Sequence, residues 1–585
     1  MDTAELSRAV WLSKYCLSTE EGKSESRIGD TWRRVARAAA CAESRPGDWA
    51  PRFEELLSGF RFLPGGRVLA GAGANRRVTL FNCFVAGRLD DSIDGILGAL
   101  GETATTMQQG GGVGIDFSPL RPAGASTIRT GSTASGPVSF MALWDTLCAT
   151  LLSTTARRGA MMGTLACDHP DIEAFVSAKH TPGVLRNFNL SVLASDEFMQ
   201  AVTEDRPWQL NFPSRLLGSG GRAEQGAVTV SAQSIWRRVV ESAHATAEPG
   251  MLFIDTINRE NNLHYCETIS ATNPCGEVPL PPFGCCDLGS INLVKFVQYP
   301  FTEDCRLDLD GIRRTAALAV RFLDNVIDVS EFPLPAQASE ARSTRRVGLG
   351  VTGLADALAM LGLRYSSEEG RQLAVAMLEA IRDEAYAASI ELARTKGAFP
   401  RFDHQRYLAS PFIGRLPKEL RDDIAAYGIR NSHLLSIAPA GTISLLAGNV
   451  SGGIEPIYAL EALRGIRDAD GELHEHSVRD YAYNRWLAFS GGAHKLPESF
   501  ETATELSAAA HLDMQARLQP LVDNAISKTI NLPGDASVDD VAGIFAAAHA
   551  AGIKGCTVYR EGASVGQVLR RRPERHCCNT DREAD

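Results

Sequence analysis

The sequence lacks the features that would place it in a membrane, in a fibre or on a nucleic-acid polymer. No apolar run approaches the roughly 20 residues that cross a bilayer. The opening MDTAELSRAVWLSKYC has no apolar core of a secretory leader. Basic residues are not in surplus: 59 Lys and Arg stand against 70 Asp and Glu, a formal charge of −11. A general nucleic-acid binder, whose affinity rests on excess Lys and Arg, is therefore excluded. A small phosphorylated substrate stays open, because it needs only local donors. Paired CxxC knuckles are missing, and vicinal Cys285-Cys286 is poor chelate geometry. His474-Glu475-His476 lacks the i, i+4 spacing of a helical zinc site. No structural metal and no internal repeat are expected.

What is present is an ordinary globular composition: 585 residues, 44% hydrophobic and 22% charged. Such a length allows roughly three or four domains, or one large barrel with appendages. Thirteen cysteines is an odd number in a long chain without a leader. A reducing, cytoplasmic setting follows, in which most cysteines pack in the core and a few carry chemistry.

Along the chain, Trp32, Val35, Ala36, Ala39 and Ala40 recur at helical spacing and make the first sixty residues helical. A turn is expected at Leu63-Pro64-Gly65-Gly66, then an apolar run ending at Asn82-Cys83. Extended and helical patterns then alternate, as in Val184–Val192, Asp196–Val202 and Ser234–Ala247, which predicts an α/β fold with a largely parallel sheet. The polar stretch from Arg570 reads as a mobile tail.

Three motifs merit chemistry. Gly348-Leu349-Gly350-Val351-Thr352-Gly353 fits GxGxxG, but Ser343 to Arg346 precede it and the turn-like Tyr365 to Glu369 follow it. A dinucleotide site would need a strand before and an acidic strand end after. A glycine-rich helix start with close packing is the better reading. Asn273-Pro274-Cys275-Gly276-Glu277 would, if extended, set an amide, a thiol and a carboxylate on one face. Such a trio can bind a diol and exchange a proton or hydrogen atom with it. The bland reading is a Pro-Gly loop. Ala438-Pro439-Ala440-Gly441-Thr442-Ile443-Ser444 reads as a turn and helix start whose N–H groups could cradle phosphate, or as an ordinary capped turn.

Together with FLPGGRVLAGAG, TLFNCFV, QQGGGVGIDFSPLRPAGA, NFNLSV, NPCGEVPLPPFGCCDLGSINL, RRVGLGVTGLADAL, APAGTIS and GIKGCTVYREG, these motifs resemble the large catalytic chain of ribonucleotide reductases. The resemblance covers nearly the whole chain and points to the adenosylcobalamin-dependent branch. It implies a ten-stranded α/β barrel of two five-stranded parallel halves joined antiparallel. The helical region would span 1–62, the barrel 63–569 and the tail 570–585. It implies radical reduction of ribonucleotides, diphosphates in particular, to deoxyribonucleotides.

In this resemblance Cys275 carries a thiyl radical, Glu277 is the base at the 3′-OH and Asn273 holds the ribose. Cys83 and Cys286 supply two electrons and end as a disulfide. Gly66, Asn82 and Gly112 lie near the nucleotide, and Pro439, Ala440, Gly441, Thr442 and Ile443 hold its phosphates. Asp91, Ser92, Ile93, Arg121 and Arg129 map onto the site of a dNTP specificity effector, with Arg157 to Gly163 as the relay loop. A homodimer and a thioredoxin or glutaredoxin reductant are implied as partners. Neither a nucleic-acid polymer nor a membrane is.

The sequence departs from the family at several points. Ala440 stands where relatives have threonine or serine, which removes one side-chain phosphate contact. Thr557-Val558 stands where a large chain served by a separate radical subunit has paired tyrosines, with Tyr559 alone beyond. That broken relay favours adenosylcobalamin over the alternative of a partner-dependent enzyme. No glycyl-radical motif is present, and an N-terminal ATP-binding cone is not expected. Tail cysteines Cys577 and Cys578, the expected electron shuttle, are vicinal, a pairing that strains a disulfide. Two rivals remain: a nucleotide-binding regulator on a reductase scaffold, and a nicotinamide dehydrogenase using Gly348 to Gly353.

Overall fold

The computed structural model describes residues 3–19, 22–23, 25–76, 78–125, 133–151, 160–212, 228–467, 473–492, 495–563 and 570–571. Helices Thr3–Lys14, Ile28–Ala40 and Pro46–Leu57 form the N-terminal region. The second buries Trp32, Val35, Ala36, Ala39 and Ala40, the face marked by their spacing. Phe53 and Phe62 both meet the ring of Phe322, 5.4 and 5.7 Å away, on the long helix Leu309–Val329. That helix packs between the N-terminal helices and the sheet.

Ten strands make one large sheet: β1 Phe62–Pro64, β2 Cys83–Val85, β3 Gly112–Asp116, β4 Met161–Ala166, β5 Phe188–Ala194, β6 Gly250–Phe253, β7 Cys285–Asn292, β8 Val347–Thr352, β9 Thr529–Leu532 and β10 Gly555–Arg560. Their order is β8-β7-β2-β3-β4-β5-β6-β10-β9, with β1 antiparallel on β7. From β2 to β6 all pairs are parallel. Helices fill their connections, as parallel pairing requires. The pairs β7–β8 and β9–β10 are also parallel. The sheet reverses at two seams, β7 on β2 and β6 on β10. Beyond the named strands, bridges link Leu349 to Leu435 and Ile437 to Ile526.

Glycines explain one of these close approaches. A Cβ on Gly350 would lie 2.3 Å from the Ser436 carbonyl oxygen, and one on Gly348 2.9 Å from Ser436 Cβ. The GxGxxG segment is thus strand β8 laid against residues 434–437. The expected helix start applies to Gly353 alone, which caps helix Leu354–Met360 at φ 74°. Two further readings change. Leu63-Pro64 belongs to β1, with helix Gly66–Gly71 following, and Cys83 opens β2 instead of ending a strand. Among the described residues no helix is long and apolar enough to cross a membrane.

Candidate active site

Asn273 to Glu277 forms a tight turn between the paired segments Ala271–Thr272 and Pro279–Leu280. The extended arrangement expected from sequence is not adopted. Pro274 presets φ, the Gly276 N–H closes on the Asn273 carbonyl at 3.1 Å, and Gly276 itself sits at φ 83°. The turn lies on β3 because that strand is bare: a Cβ at Gly114 would stand 1.7 Å from the Thr272 carbonyl oxygen, and one at Gly112 2.9 Å from the Pro274 ring. Polar contacts fix it from several strands. Thr164 Oγ1 donates to the Ser270 carbonyl at 3.1 Å and Asn189 Nδ2 to that of Pro274 at 2.8 Å. The Glu277 carbonyl accepts from Ser436 Oγ and the Ala525 N–H, both at 2.9 Å.

The turn splits its three functional side chains. Asn273 and Glu277 are buried, whereas Cys275 is half-buried at a cavity. Asn273 Nδ2 donates to Cys83 Sγ at 3.1 Å and its Oδ1 accepts from the Val278 N–H at 3.0 Å. The Cys83 thiol lies 3.8 Å from Glu277 Oε1. Cys286 is the register partner of Cys83 across the β7–β2 seam. Directly opposed residues in antiparallel strands have Cα atoms about 4.5–5.5 Å apart, inside the range a disulfide spans. Strand alternation turns neighbouring Cys285 to the other face, where its sulfur lies 3.8 Å from the Gln337 carbonyl. Cys286 is thereby the member of the vicinal pair that meets Cys83.

Burial dominates the electrostatics. It pushes the Glu277 carboxyl up from 4.5 to about 7, against the lowering effect of bonds from Asn273, its own backbone and Cys83. Among the described residues Glu277 Oε2 finds no hydrogen-bond partner. Burial also raises Cys83 and Cys286 well above 9, so both are neutral thiols at physiological pH. A carboxyl that titrates near neutrality, beside two protonated thiols, can take up and return a proton while the thiols deliver hydrogen and electrons.

The remaining expected residues fall into three groups. Gly66, Asn82 and Gly112 converge near the β2–β3–β7 region. The Gly112 N–H donates to the Asn82 carbonyl at 2.8 Å, and the Gly65 N–H to that of Leu288 at 2.7 Å. The segment Pro439 to Ile443 leads into helix Gly441–Leu446, capped by Ala440 at φ 52°, and Pro439 and Gly441 line the cavity with Cys275. The first bond of that helix runs from the Ser444 N–H to the Ala440 carbonyl. Asp91, Ser92, Ile93 and Arg121 share a separate corner. Arg121 Nε donates to Asp91 Oδ2 at 2.8 Å, and Ser92 caps helix Ile93–Gln108. Arg129, Arg157, Cys577 and Cys578 lie outside the described residues.

The cavity holds about 360 Å³. Its walls include Asn189, Ser191, Lys528 and Thr557 as well as Cys275. Lys528 is buried and donates to Glu455, His511 and the Thr529 carbonyl. Gly250 keeps the floor open, since a Cβ there would meet Thr557 Cγ2 at 2.7 Å. A space of this size admits a nucleoside beside the thiol. Asn189, Ser436, Thr164 and Lys528 were not singled out by sequence reasoning. Asn189 and Thr164 sit at inward strand positions, a signal that appears only once strand phase is known. No group of three His, Cys, Asp or Glu suited to a metal occurs among the described residues.

Known proteins resemble this chain in sequence. A family model described as ribonucleotide reductase, barrel domain, matches residues 81–559, and one described as ribonucleotide reductase, all-alpha domain, matches residues 1–77. The chain belongs to the ribonucleotide reductase family. It is 40% identical over 582 residues to a vitamin B12-dependent ribonucleoside-diphosphate reductase of Mycobacterium tuberculosis, covering 96% of this chain and 80% of that relative. The protein of the same name from Thermoplasma acidophilum is 36% identical over 540 residues, covering 89% and 66%. A vitamin B12-dependent ribonucleotide reductase of Streptomyces avermitilis is 30% identical over 559 residues, covering 83% of this chain and 57% of its own length.

Proposed function

We infer that this reductase converts ribonucleotides, diphosphates in particular, to 2′-deoxyribonucleotides by radical chemistry with adenosylcobalamin. The observation that carries the reading is the placement of Cys275 on a pinned turn, backed by Glu277 and by the register pair Cys83–Cys286. The residues present fit the reactive end of the cofactor, because an open nucleoside-sized space adjoins the Cys275 thiol and would take its adenosyl group. When bound, adenosylcobalamin supplies the radical that a separate subunit supplies elsewhere in the family. Thr557 and Val558 in place of a tyrosine pair support the same assignment.

Cys275 as a thiyl radical takes the 3′-hydrogen, a reversible exchange because the S–H bond is weak. Glu277 accepts the 3′-OH proton, a task suited to a carboxyl near neutrality. The 2′-oxygen then leaves as water. Cys83 and Cys286 give up two protons and two electrons in closing a disulfide: one proton leaves in that water, the other is delivered to C2′, Glu277 returns its proton to the 3′-oxygen, and Cys275 returns hydrogen to C3′. Backbone N–H donors in the segment Pro439 to Ile443 hold the substrate phosphates, those of Ala440 to Ile443, since proline has no N–H to give. Asp91, Ser92, Ile93, Arg121 and Arg129 take a dNTP effector.

The chain acts as a cytoplasmic homodimer. Ile93, Leu97 and Leu143, exposed on the packed helices Ile93–Gln108 and Pro137–Thr150, support that contact. Thioredoxin or glutaredoxin renews the dithiol through Cys577 and Cys578. The sheet closes as a ten-stranded barrel, residues 434–437 completing the ring between β8 and the approach to β9. The bridges at Leu435 and Ile437 support this closure. The helical region spans 1–62, the barrel 63–569 and the tail 570–585. In an assay with ribonucleoside diphosphate and dithiothreitol, turnover should require adenosylcobalamin. Equal turnover without it would overturn the cofactor assignment.

A further inference from the structure

The peptide that leads into Cys275 is held partly by a residue outside the reacting set. Resting on the reading of Cys275 as the hydrogen-abstracting group, we propose that Asn189 is a positioning residue that sets this sulfur. The Pro274 ring rests on β3 at Gly112, while the Pro274 carbonyl accepts Asn189 Nδ2 at 2.8 Å from β5. The peptide that leads into Cys275 is therefore fixed from two strands with β4 between them. A carbonyl can only accept, so the amide orientation of Asn189 is determined: Nδ2 points to the turn.

Asn189 also faces the cavity. It is exposed, whereas its neighbours Phe188 and Leu190 are buried in the outer core, and it lines the space together with Ser191, Pro274 and Cys275. A ligand seated there shares a wall with the residue that holds the turn. Hydrogen-atom transfer is sensitive to such support, since a displacement of about 1 Å can cost about 100-fold in rate. The substrate-side groups Glu277 and Pro439 to Ile443 also hang on other bonds, so most of the ribonucleotide's contacts survive the loss of Asn189.

The test uses the full chain and the variants Asn189→Ala and Asn189→Asp, with Thr164→Val as a control that loosens the same loop farther from its tip. N189A is expected to lower kcat by about 100-fold with KM for the ribonucleotide within about twofold. Independently of cofactor and turnover, the rate of Cys275 alkylation by iodoacetamide, read by peptide mass spectrometry, should rise in N189A. N189D, matched in size, cannot donate when ionised and should behave alike near neutral pH. On acidification its carboxyl regains a proton to donate, so its alkylation ratio to wild type should return towards one, whereas that of N189A should not. Unchanged kcat and alkylation in N189A, or an equal loss in T164V, would overturn the role. Should N189A not fold, the N189D acid response decides alone. Wild type inactive with adenosylcobalamin would instead sink the reductase reading, and the alkylation arm would still judge Asn189.

Discussion

The proposed catalytic turn and the proposed effector corner are built from similar residue types, yet they are held in opposite ways. Asn273 and Glu277 are buried, and the turn is tied to β4, β5 and two further segments through Thr164, Asn189, Ser436 and Ala525. Asp91 and Arg121 pair near the surface, and Ile93 beside them is 62% exposed. Burial shifts the Glu277 carboxyl to about 7 and makes it a usable base. A radical site needs fixed distances and tuned protons, whereas an effector site needs access and a surface that another copy can share.

Variants break this contrast in descending order. Cys275→Ser should abolish turnover while nucleotide binding, measured by equilibrium dialysis, survives, because the O–H bond is too strong for reversible exchange. Glu277→Gln should lower kcat by roughly 10²–10⁴-fold and remove the limb near pH 7 from the rate profile. The same change should stabilise the fold at high pH. The folded carboxyl titrates near 7 against an ordinary 4.5, so the contribution of Glu277 to stability is intact below 4.5 and is lost as pH rises to 7. The loss levels off at about 3 kcal/mol above that point. Thermal midpoints of E277Q and wild type should thus diverge between pH 4.5 and about 7 (a window set by those two values) and coincide in acid.

Gly114→Ala pushes a methyl into the Thr272 carbonyl and should cost about 1–3 kcal/mol, seen as a lower denaturation midpoint together with lost activity. Arg121→Ala should change stability by no more than about 1 kcal/mol. It should leave effector-free turnover intact while weakening the dNTP response. A large loss of basal activity in R121A would erase the distinction between the two regions.

The alternation of strands and helices and the parallel pairing were legible in the sequence. What escaped it depends on strand phase and on third parties. Asn273 to Glu277 looked extended by residue type, but Pro274 and Gly276 bend it, which leaves Cys275 half-buried at the cavity and Glu277 buried. Gly348 and Gly350 looked like a helix start because GxG carries no record of what packs against it, and only the Ser436 carbonyl over Gly350 and the Leu288 and Ser436 side chains over Gly348 reveal why they are glycine. Asn189 lies in the plainly visible NFNLSV, but its role depends on a carbonyl 85 positions away. Cys285 and Cys286 are equivalent as letters. Register on β2 separates them.

The bare faces of β3 and β8 bear on how this enzyme tolerates sequence change. In a library of random substitutions, Gly112, Gly114, Gly348 and Gly350 should be nearly as intolerant as Cys275, although none of them supplies a reacting atom. Intolerance alone would then rank scaffold and chemistry together. The two classes part only under a folding reporter without an activity requirement, where Cys275 becomes replaceable and the glycines do not. Much of the heredity of this site is written in side chains that must never appear.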